Sequence, residues 1–424
     1  KMADVLSNRN SCVVITSPRD ANEASGNTKQ PASNEVVVLR EPPAHIRAEF
    51  QGKLGRDMIE IRVLCVSLNF RDIVHKNYLK PSNLPFIPCS DCVGLVTSIG
   101  SDVKSFSIGD RACPLFFPYW KDRRPDTAKT LRGALGGKNV LEGGMKQGVL
   151  RTRFRCRAQE AVKIPTYLTD AEASTLPCAG VTAWSALMGY ETLPDDINLS
   201  QSTPNANHKR LEGKVVLVQG TGAVSMFALQ FAKALGARVI ATSSSNVKLQ
   251  IAKKMGADLC INYKTIKKWG KQASLATIKK FGRTALNAGA DLIVEVGGAG
   301  TISESLDAVR IGGVISMVGN LSGRSGEIKR LDRIFYKAVR IQGVVVGHKK
   351  GFLDMLQVME SHRINPVVGQ IYPISKAAKA FSGDSTGATY KAKVMMGNRV
   401  IRVSDSLKGR RMDSRVESRV RSML

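Results

Sequence analysis

The chain is short of acids. Its 424 residues carry 35 Asp and Glu against 63 Lys and Arg, a formal net charge of +28 at pH 7. An excess of this size attracts polyanions, namely RNA, an anionic membrane surface or acidic partners. It also suits a compartment where basic proteins are common, which favours the mitochondrial matrix, with the cytoplasm as the alternative. No uninterrupted apolar run approaches the length of about 18 residues that spans a bilayer, so no membrane span is expected. The first residues, Lys1-Met2-Ala3-Asp4, open neither a secretory apolar core nor an Arg/Ser-rich, acid-free transit peptide. No internal repeat is visible. Histidine is scarce, with five in the chain. There is no H-E-x-x-H, no P-loop, and no Ser/His/Asp or Cys/His set at recognisable spacing, which argues against hydrolysis and P-loop chemistry. The eight cysteines are scattered, several in apolar runs, and read as reduced, buried thiols of an intracellular protein. Cys89-Ser90-Asp91-Cys92 is a lone C-x-x-C without the second pair or nearby histidines that a zinc site needs.

What is present is an ordinary apolar fraction of 43% and enough length for about two to three domains. The most informative stretch is 213–263. Val215-Val216-Leu217-Val218 is a continuous aliphatic run, the pattern of a strand buried on both faces. A turn follows through Gln219-Gly220-Thr221-Gly222-Ala223-Val224-Ser225. Val224, Phe227, Ala228, Phe231 and Leu235 then recur at the spacing of one helix face. Gly236 ends that helix, and Arg238-Val239-Ile240-Ala241 is the next strand. Strand, glycine turn, helix and strand make half of a dinucleotide-binding unit. Gly220 and Gly222 let the backbone approach a pyrophosphate, and the amides of the helix start face the anion. An NAD site places an acid about 20 residues after the glycines to hold the ribose 2′-OH. Here the stretch is Ala241-Thr242-Ser243-Ser244-Ser245-Asn246-Val247-Lys248, without an acid. Hydroxyls and a lysine suit a 2′-phosphate, so NADPH is favoured over NADH.

Elsewhere, 12–16, 35–39 and 58–66 read as strands, and 17–35 as a polar loop. Between 67 and 113, short β segments broken by Gly, Pro and Asp suggest a compact barrel-like domain. After Thr182, strand-like runs at 292–296, 314–318 and 341–346 alternate with helix-like runs at 302–309 and 352–360, which argues for a parallel, doubly wound sheet.

Several ordered blocks carry a family resemblance. They are Ser67-Leu68-Asn69-Phe70-Arg71-Asp72, Pro85-Phe86-Ile87-Pro88-Cys89-Ser90-Asp91-Cys92-Val93-Gly94, Leu176-Pro177-Cys178-Ala179-Gly180-Val181-Thr182-Ala183-Trp184, the 213–263 stretch, Glu295-Val296-Gly297-Gly298, Met317-Val318-Gly319-Asn320 and Val344-Val345-Val346-Gly347. Together they resemble the medium-chain dehydrogenase/reductase superfamily, within it the zinc-independent quinone oxidoreductase branch and its alcohol-dehydrogenase-like relatives, over roughly 35–403. The resemblance implies an α/β fold: a Rossmann doubly wound parallel sheet plus a chaperonin-10-like β-barrel catalytic domain. The implied division is 1–34 as strand and polar loop, 35–180 as barrel, 181–364 as coenzyme domain, 365–403 as a return segment to the barrel and 404–424 as a basic tail.

The family pattern also implies roles. Asn69, Phe70 and Thr182 would lie at the nicotinamide end. Gly220, Thr221, Gly222, Ala223 and Val224 would hold the pyrophosphate. Ser243, Lys248 and Tyr263 would surround the 2′-phosphate and adenosine. Val318, Gly319 and Gly347 would form loops beside the nicotinamide, and Lys393 would reach the cofactor from the return segment. Phe70 and Tyr263 have a plainer reading as core aromatics, and Thr182 as a helix cap. Zinc-dependent relatives carry a Cys ligand in the Asn69–Asp72 block, Gly-His-Glu at Cys89–Cys92, and a four-cysteine lobe. None of these is here, so no zinc is expected. Three departures bear on activity: Ala223 replaces a glycine, Ala392-Lys393 replaces Gly-Lys, and Cys89 and Cys92 replace glycines. Two insertions are also implied, a polar one at 195–210 and an acid-free one at 264–289 that holds Lys264, Lys267, Lys268, Lys271, Lys279, Lys280 and Arg283.

Without a metal Lewis acid, an unactivated alcohol is a difficult substrate. Hydride transfer from NADPH to a quinone, enone or similar carbonyl-conjugated acceptor needs mainly orientation and a dry site. The first reading is therefore a zinc-free NADPH-dependent reductase, dimeric as its relatives often are. The second is a structural or assembly protein that retains the fold and docks on RNA or a ribonucleoprotein. Its contacts would be the acid-free segment, the Lys/Arg-rich 121–157 region and the tail, where Arg415 and Arg419 have helical spacing.

Overall fold

The structure, a computed structural model, describes residues 12–16, 35–39, 44–76, 84–122, 125, 131, 134–138, 145–190, 210–322, 330–382 and 398–403. The described residues divide into two compact units, one running through Cys178 and resuming at Val368, the other from Ala179 through Val367. The 17–34 loop, the 195–209 part of the polar insertion, Lys393 and the basic tail lie outside the described residues.

In the first unit, β1 (Cys12–Thr16) and β2 (Glu35–Leu39) pair antiparallel. The centre is β3 (Met58–Leu68), whose apolar residues Ile59, Ile61, Val63 and Val66 are fully buried. It pairs antiparallel with β4 (Asp91–Ile99). Gly94 lies where a Cβ would strike the Arg62 carbonyl, so no other residue fits the ladder there. The sheet continues through β5 (Arg111–Pro114), while a small hairpin forms from β6 (Gly137–Lys138) and β7 (Met145–Lys146). β8 (Arg153–Arg157) pairs with the first half of β3, and β9 (Ala161–Lys163) closes on β5. Glu60 is buried in β3 and is satisfied from β8, where Arg153 donates to Oε1 at 2.7 Å and Arg155 to Oε2 at 2.8 Å.

The second unit opens with α1 (Val181–Met188), buried along its whole length. Then β10 (Val215–Gln219), α2 (Ala223–Ala234), β11 (Arg238–Ser243), α3 (Asn246–Lys254), β12 (Leu259–Asn262), α4 (Trp269–Phe281), β13 (Ala290–Glu295), α5 (Ile302–Ala308), β14 (Val309–Met317), α6 (Asp332–Tyr336), β15 (Arg340–Gly343) and α7 (Lys349–Ser361) alternate. The sheet order is β12-β11-β10-β13-β14-β15, all parallel. The chain winds outward from β10 to one edge and then from β13 to the other, so the order reverses beside β10.

The acid-free 264–289 segment, expected as an insertion, is largely helical, and one strand is shorter than expected. The segment holds α4, the crossover that a parallel sheet requires between β12 and β13. Its inner face is Trp269, Gly270, Ala273, Ala276 and Thr277, and Gly270 meets the Glu304 carbonyl of α5 with no room for a Cβ. The last strand stops at Gly343 rather than reaching residue 346. Val346 takes a left-handed φ of 53°, and the Val345 N–H donates to the Tyr190 hydroxyl, so this run turns off the sheet.

The return segment supplies β16 (Val368–Pro373) and β17 (Asn398–Arg402) to the first unit. β17 lies between β16 and β3, parallel to the former and antiparallel to the latter, with Val400 opposite Ser67. A barrel-like sheet and a Rossmann sheet are thus both present, as the resemblance implied.

Candidate cofactor site

The glycine turn follows β10, whose five residues are all buried. Gly220 has φ of +72°, a conformation that L side chains avoid, and a Cβ on Gly220 or Gly222 would meet nothing within 4 Å. Gly222 is the N-cap of α2 and provides no side-chain cap. The first amides of α2 therefore face open space beside two glycines, which is the arrangement that accepts a phosphate. Ala223 and Val224 are the first residues of α2, half-buried, in helical conformation that alanine adopts freely. Thr221 is buried beside them. Ser225 holds the third glycine position of the motif. It is buried, and its Oγ donates back to the Gln219 carbonyl at 2.6 Å, closing the turn from below. These residues fit a dinucleotide pyrophosphate.

At the end of β11, Ser243 is 3% exposed, and its Oγ accepts from the Ser245 N–H at 3.4 Å. Ser243 thus shapes the turn, and the next residue, Ser244, is half-buried. Ser245 caps α3, accepting from the Lys248 N–H. Burial pushes the Lys248 ammonium below its ordinary pKa, and no acid opposes that shift. Tyr263 is 40% exposed, which removes its reading as a core aromatic, and its N–H donates to the Ser243 carbonyl at 3.1 Å.

Thr182 is buried in the first turn of α1, whose N-cap is Gly180, so Thr182 is not the cap. Gly347 packs against α1, where a Cβ would strike Ser185 Oγ. Val318 and Gly319 follow β14, and the Val318 N–H donates to the Glu295 carbonyl at 2.8 Å. In sequence, Glu295 stands out only as part of the Glu295-Val296-Gly297-Gly298 block. It is fully buried at the end of β13, and the available signal was an acid inside the apolar run Leu292-Ile293-Val294-Glu295-Val296.

In the first unit, Asn69 follows β3 and its N–H donates to Asp72 Oδ2 at 2.8 Å. Phe70 is 42% exposed and is not a core aromatic. Behind them lies Asp91, fully buried, accepting from Ser90 Oγ at 2.5 Å and from the Cys178 N–H at 2.8 Å. Burial raises its pKa to about 7, opposed by hydrogen bonds from Ser90 and Asn69. Burial likewise raises Asp72, opposed by Arg71. Cys89 and Cys92 are buried free thiols, and burial holds both well above the ordinary thiol pKa. Cys89 adopts φ of 71°, the backbone of the glycine it replaces. Among the described residues, no group of three or more His, Cys, Asp or Glu is placed to hold a metal ion.

Two family models match the chain, the alcohol dehydrogenase GroES-like domain over residues 55–166 and the zinc-binding dehydrogenase domain over residues 223–361. A zinc-type alcohol dehydrogenase-like protein of Schizosaccharomyces pombe is 34% identical over 338 residues, covering 78% of this chain and 89% of that one. An acryloyl-coenzyme A reductase of Sulfurisphaera tokodaii is 26% identical over 318 residues, covering 74% and 85%. Among solved structures, an NAD-dependent alcohol dehydrogenase superposes with a TM-score of 0.67 at 25% identity, covering 93% of this chain and 100% of that one.

Proposed function

Because the chain belongs to the medium-chain dehydrogenase/reductase superfamily and is an oxidoreductase of that type, we propose that it is a zinc-free, NADPH-dependent reductase of quinones, enones or similar carbonyl-conjugated acceptors. The observation that carries the reading is the open, uncapped start of α2 beside Gly220 and Gly222, followed by an acid-free β11 end where Lys248 lacks an opposing carboxylate. NADPH, when bound, supplies the hydride. The chain's part is to bind and orient: the α2 amides take the pyrophosphate, Ser244 and Lys248 the 2′-phosphate, and exposed Tyr263 flanks the adenosine. Lys393 is assigned to the cofactor from the family pattern. Asn69, Phe70 and Thr182 are assigned to orient the nicotinamide and acceptor, with Val318, Gly319 and Gly347 framing it.

An acceptor conjugated to a carbonyl takes hydride at carbon and places the electron pair on its own carbonyl oxygen, so the chemistry does not call for a metal. The Sulfurisphaera relative's name is that of a reductase of such a compound. Exposed Ile341 on edge strand β15, near exposed Phe335 and Tyr336, supports a homodimer. The experiment is a titration with NADPH and NADH read by nicotinamide fluorescence, followed by NADPH oxidation with a quinone, an enone and an enoyl thioester. Tight NADPH binding and turnover of any of the three supports the reading. Folded protein that binds neither nucleotide overturns it, and NADH preference overturns the cofactor assignment.

A second reading rests on one surface. Lys264, Lys267, Lys268, Lys271, Lys279 and Lys280 are all exposed on and just before α4, and none has an ion pair among the described residues. We propose this surface as a contact for RNA, in keeping with a basic protein of the mitochondrial matrix or, alternatively, the cytoplasm. If all six lysines meet phosphates, the logarithm of single-strand affinity should fall with the logarithm of salt with a slope of about −4. Affinity independent of salt, or unchanged when these lysines become glutamines, removes it.

A further inference from the structure

Glu295 collects more hydrogen bonds than any structural carboxylate in a sheet needs. Its Oε1 accepts from the Gly297 and Gly298 amides at 2.8 and 3.1 Å and from Thr301 Oγ1 at 2.5 Å. Its Oε2 accepts from Gln219 Nε2 at 2.6 Å and from Ser305 Oγ at 2.5 Å. Every neighbour donates, which suits an acceptor-only carboxylate. Glu295 is fully buried, so this anion was taken from water to be held by five dipoles.

The partners define what it joins. Gln219 is the residue immediately before Gly220. Its Oε1 accepts from the Val296 N–H at 3.2 Å, and its carbonyl takes the Ser225 hydroxyl. The carboxylate is thus two bonds from the phosphate turn. On the other side it holds the glycine turn at 297–300, which abuts the turn at 318–322. The Ser322 N–H donates to the Gly297 carbonyl at 2.8 Å and the Leu321 N–H to the Val296 carbonyl at 3.1 Å. Gly298 faces Asn320 so closely that a Cβ would meet its Cα at 2.8 Å. One carboxylate therefore links the turn after β10, the turn after β13 and, through backbone bonds, the turn after β14. Those are three consecutive strand ends along one edge of the parallel sheet.

We infer that Glu295 is a positioning residue that sets the register of the phosphate turn against the turns following β13 and β14, so that a dinucleotide meets all three preformed. This rests on the nucleotide reading above. The side chain itself does not reach the nucleotide, because it is sealed beneath the turns. Its effect is on pre-organisation: without it, part of the binding free energy goes into ordering Gly220 to Val224.

The test compares wild type, Glu295→Gln and Ser305→Ala for NADPH affinity and for amide hydrogen exchange at residues 220–224 in the nucleotide-free protein. Gln presents N–H groups to neighbours that are themselves donors, so NADPH Kd should rise about tenfold, and exchange in the turn should quicken by a similar factor. Ser305→Ala keeps the carboxylate and removes one donor, so it should weaken binding about threefold and remains informative if the Gln variant does not fold. Thermal stability lost in either variant, with Kd and turn exchange at wild-type values, would reduce Glu295 to local glue and overturn the inference. Wild-type protein that binds no nucleotide would instead count against the reductase reading, while the exchange arm still decides the role of Glu295.

Discussion

Helices α2 and α3 follow successive strands of the same sheet, yet they begin in opposite ways. α3 starts at Ser245, whose hydroxyl accepts one of the helix's unpaired amides. α2 starts at Gly222, which has nothing to offer. The other starts in the unit are mixed: α7 is capped by His348 Nδ1 on the Gly351 N–H at 2.8 Å and Glu304 accepts from the Gly270 N–H at 2.7 Å near the start of α4, whereas α1, α5 and α6 have no side-chain cap. The chain has acceptors available and places none at α2. A cap is worth about 1 kcal/mol to a helix, and what sets α2 apart from the other uncapped starts is the pair of glycines with empty space around them, which suits an external anion.

The comparison breaks most sharply if α2 is given the cap it lacks. Gly222→Asp should hold or raise thermal stability, since Asp is among the best N-cap residues. The same carboxylate would occupy the phosphate position, and nucleotide affinity should fall about a thousandfold, or about 4 kcal/mol. Unchanged affinity in a titration would show that no phosphate binds there.

A third kind of amide partner is Asp91, an acid the protein supplies itself to the Cys178 N–H. Its pKa is raised from 3.8 to about 7, so between these values the folded chain keeps a proton that the unfolded chain has released. Its contribution is therefore most favourable below pH 4, declines as pH rises to 7 and is level above. Asp91→Asn should gain on wild type across that window by about 3 kcal/mol, measured by denaturant unfolding at pH 4.5 and 7.5. Parallel pH profiles of the two proteins would contradict it.

Smaller effects sharpen the contrast at α3. Lys248→Ala should weaken NADPH about tenfold, near 1.4 kcal/mol, and leave NADH unchanged. An equal loss for both nucleotides would place Lys248 away from the 2′-phosphate. Ser245→Ala removes a cap the protein uses internally, so it should cost about 1 kcal/mol in thermal unfolding.

Much of this was legible because it is local. Val215 to Val218, the two glycines and the Phe227/Phe231 face all fall within residues 215–231, and neighbouring residues alone fix strand, turn and helix. The helix in the acid-free segment was not legible because, apart from Trp269, the buried face of α4 is made of Gly270, Ala273, Ala276 and Thr277, small residues that carry little periodic signal among so many lysines. The run Val344-Val345-Val346 has strand-forming side chains, but the Tyr190 hydroxyl that draws Val345 away is 155 positions earlier. Glu295 shows the same limit: Gln219 is 76 positions away, so the sequence displays a buried acid but not its companions. For Phe70 and Tyr263 the sequence leaves cofactor contact and core packing both open, and only their exposure removes the second.

The placement of β17 also bears on synthesis. β17 sits directly beside β3, with Arg399 opposite Leu68, so the Cys65–Leu68 end of the long central strand lacks its neighbour on that edge until the return segment has left the ribosome. The second unit, contiguous from Ala179 through Val367, has all its strands much sooner. On a growing chain the coenzyme fold is thus able to form while β3 still presents an unpaired edge, and the unit begun first is finished last.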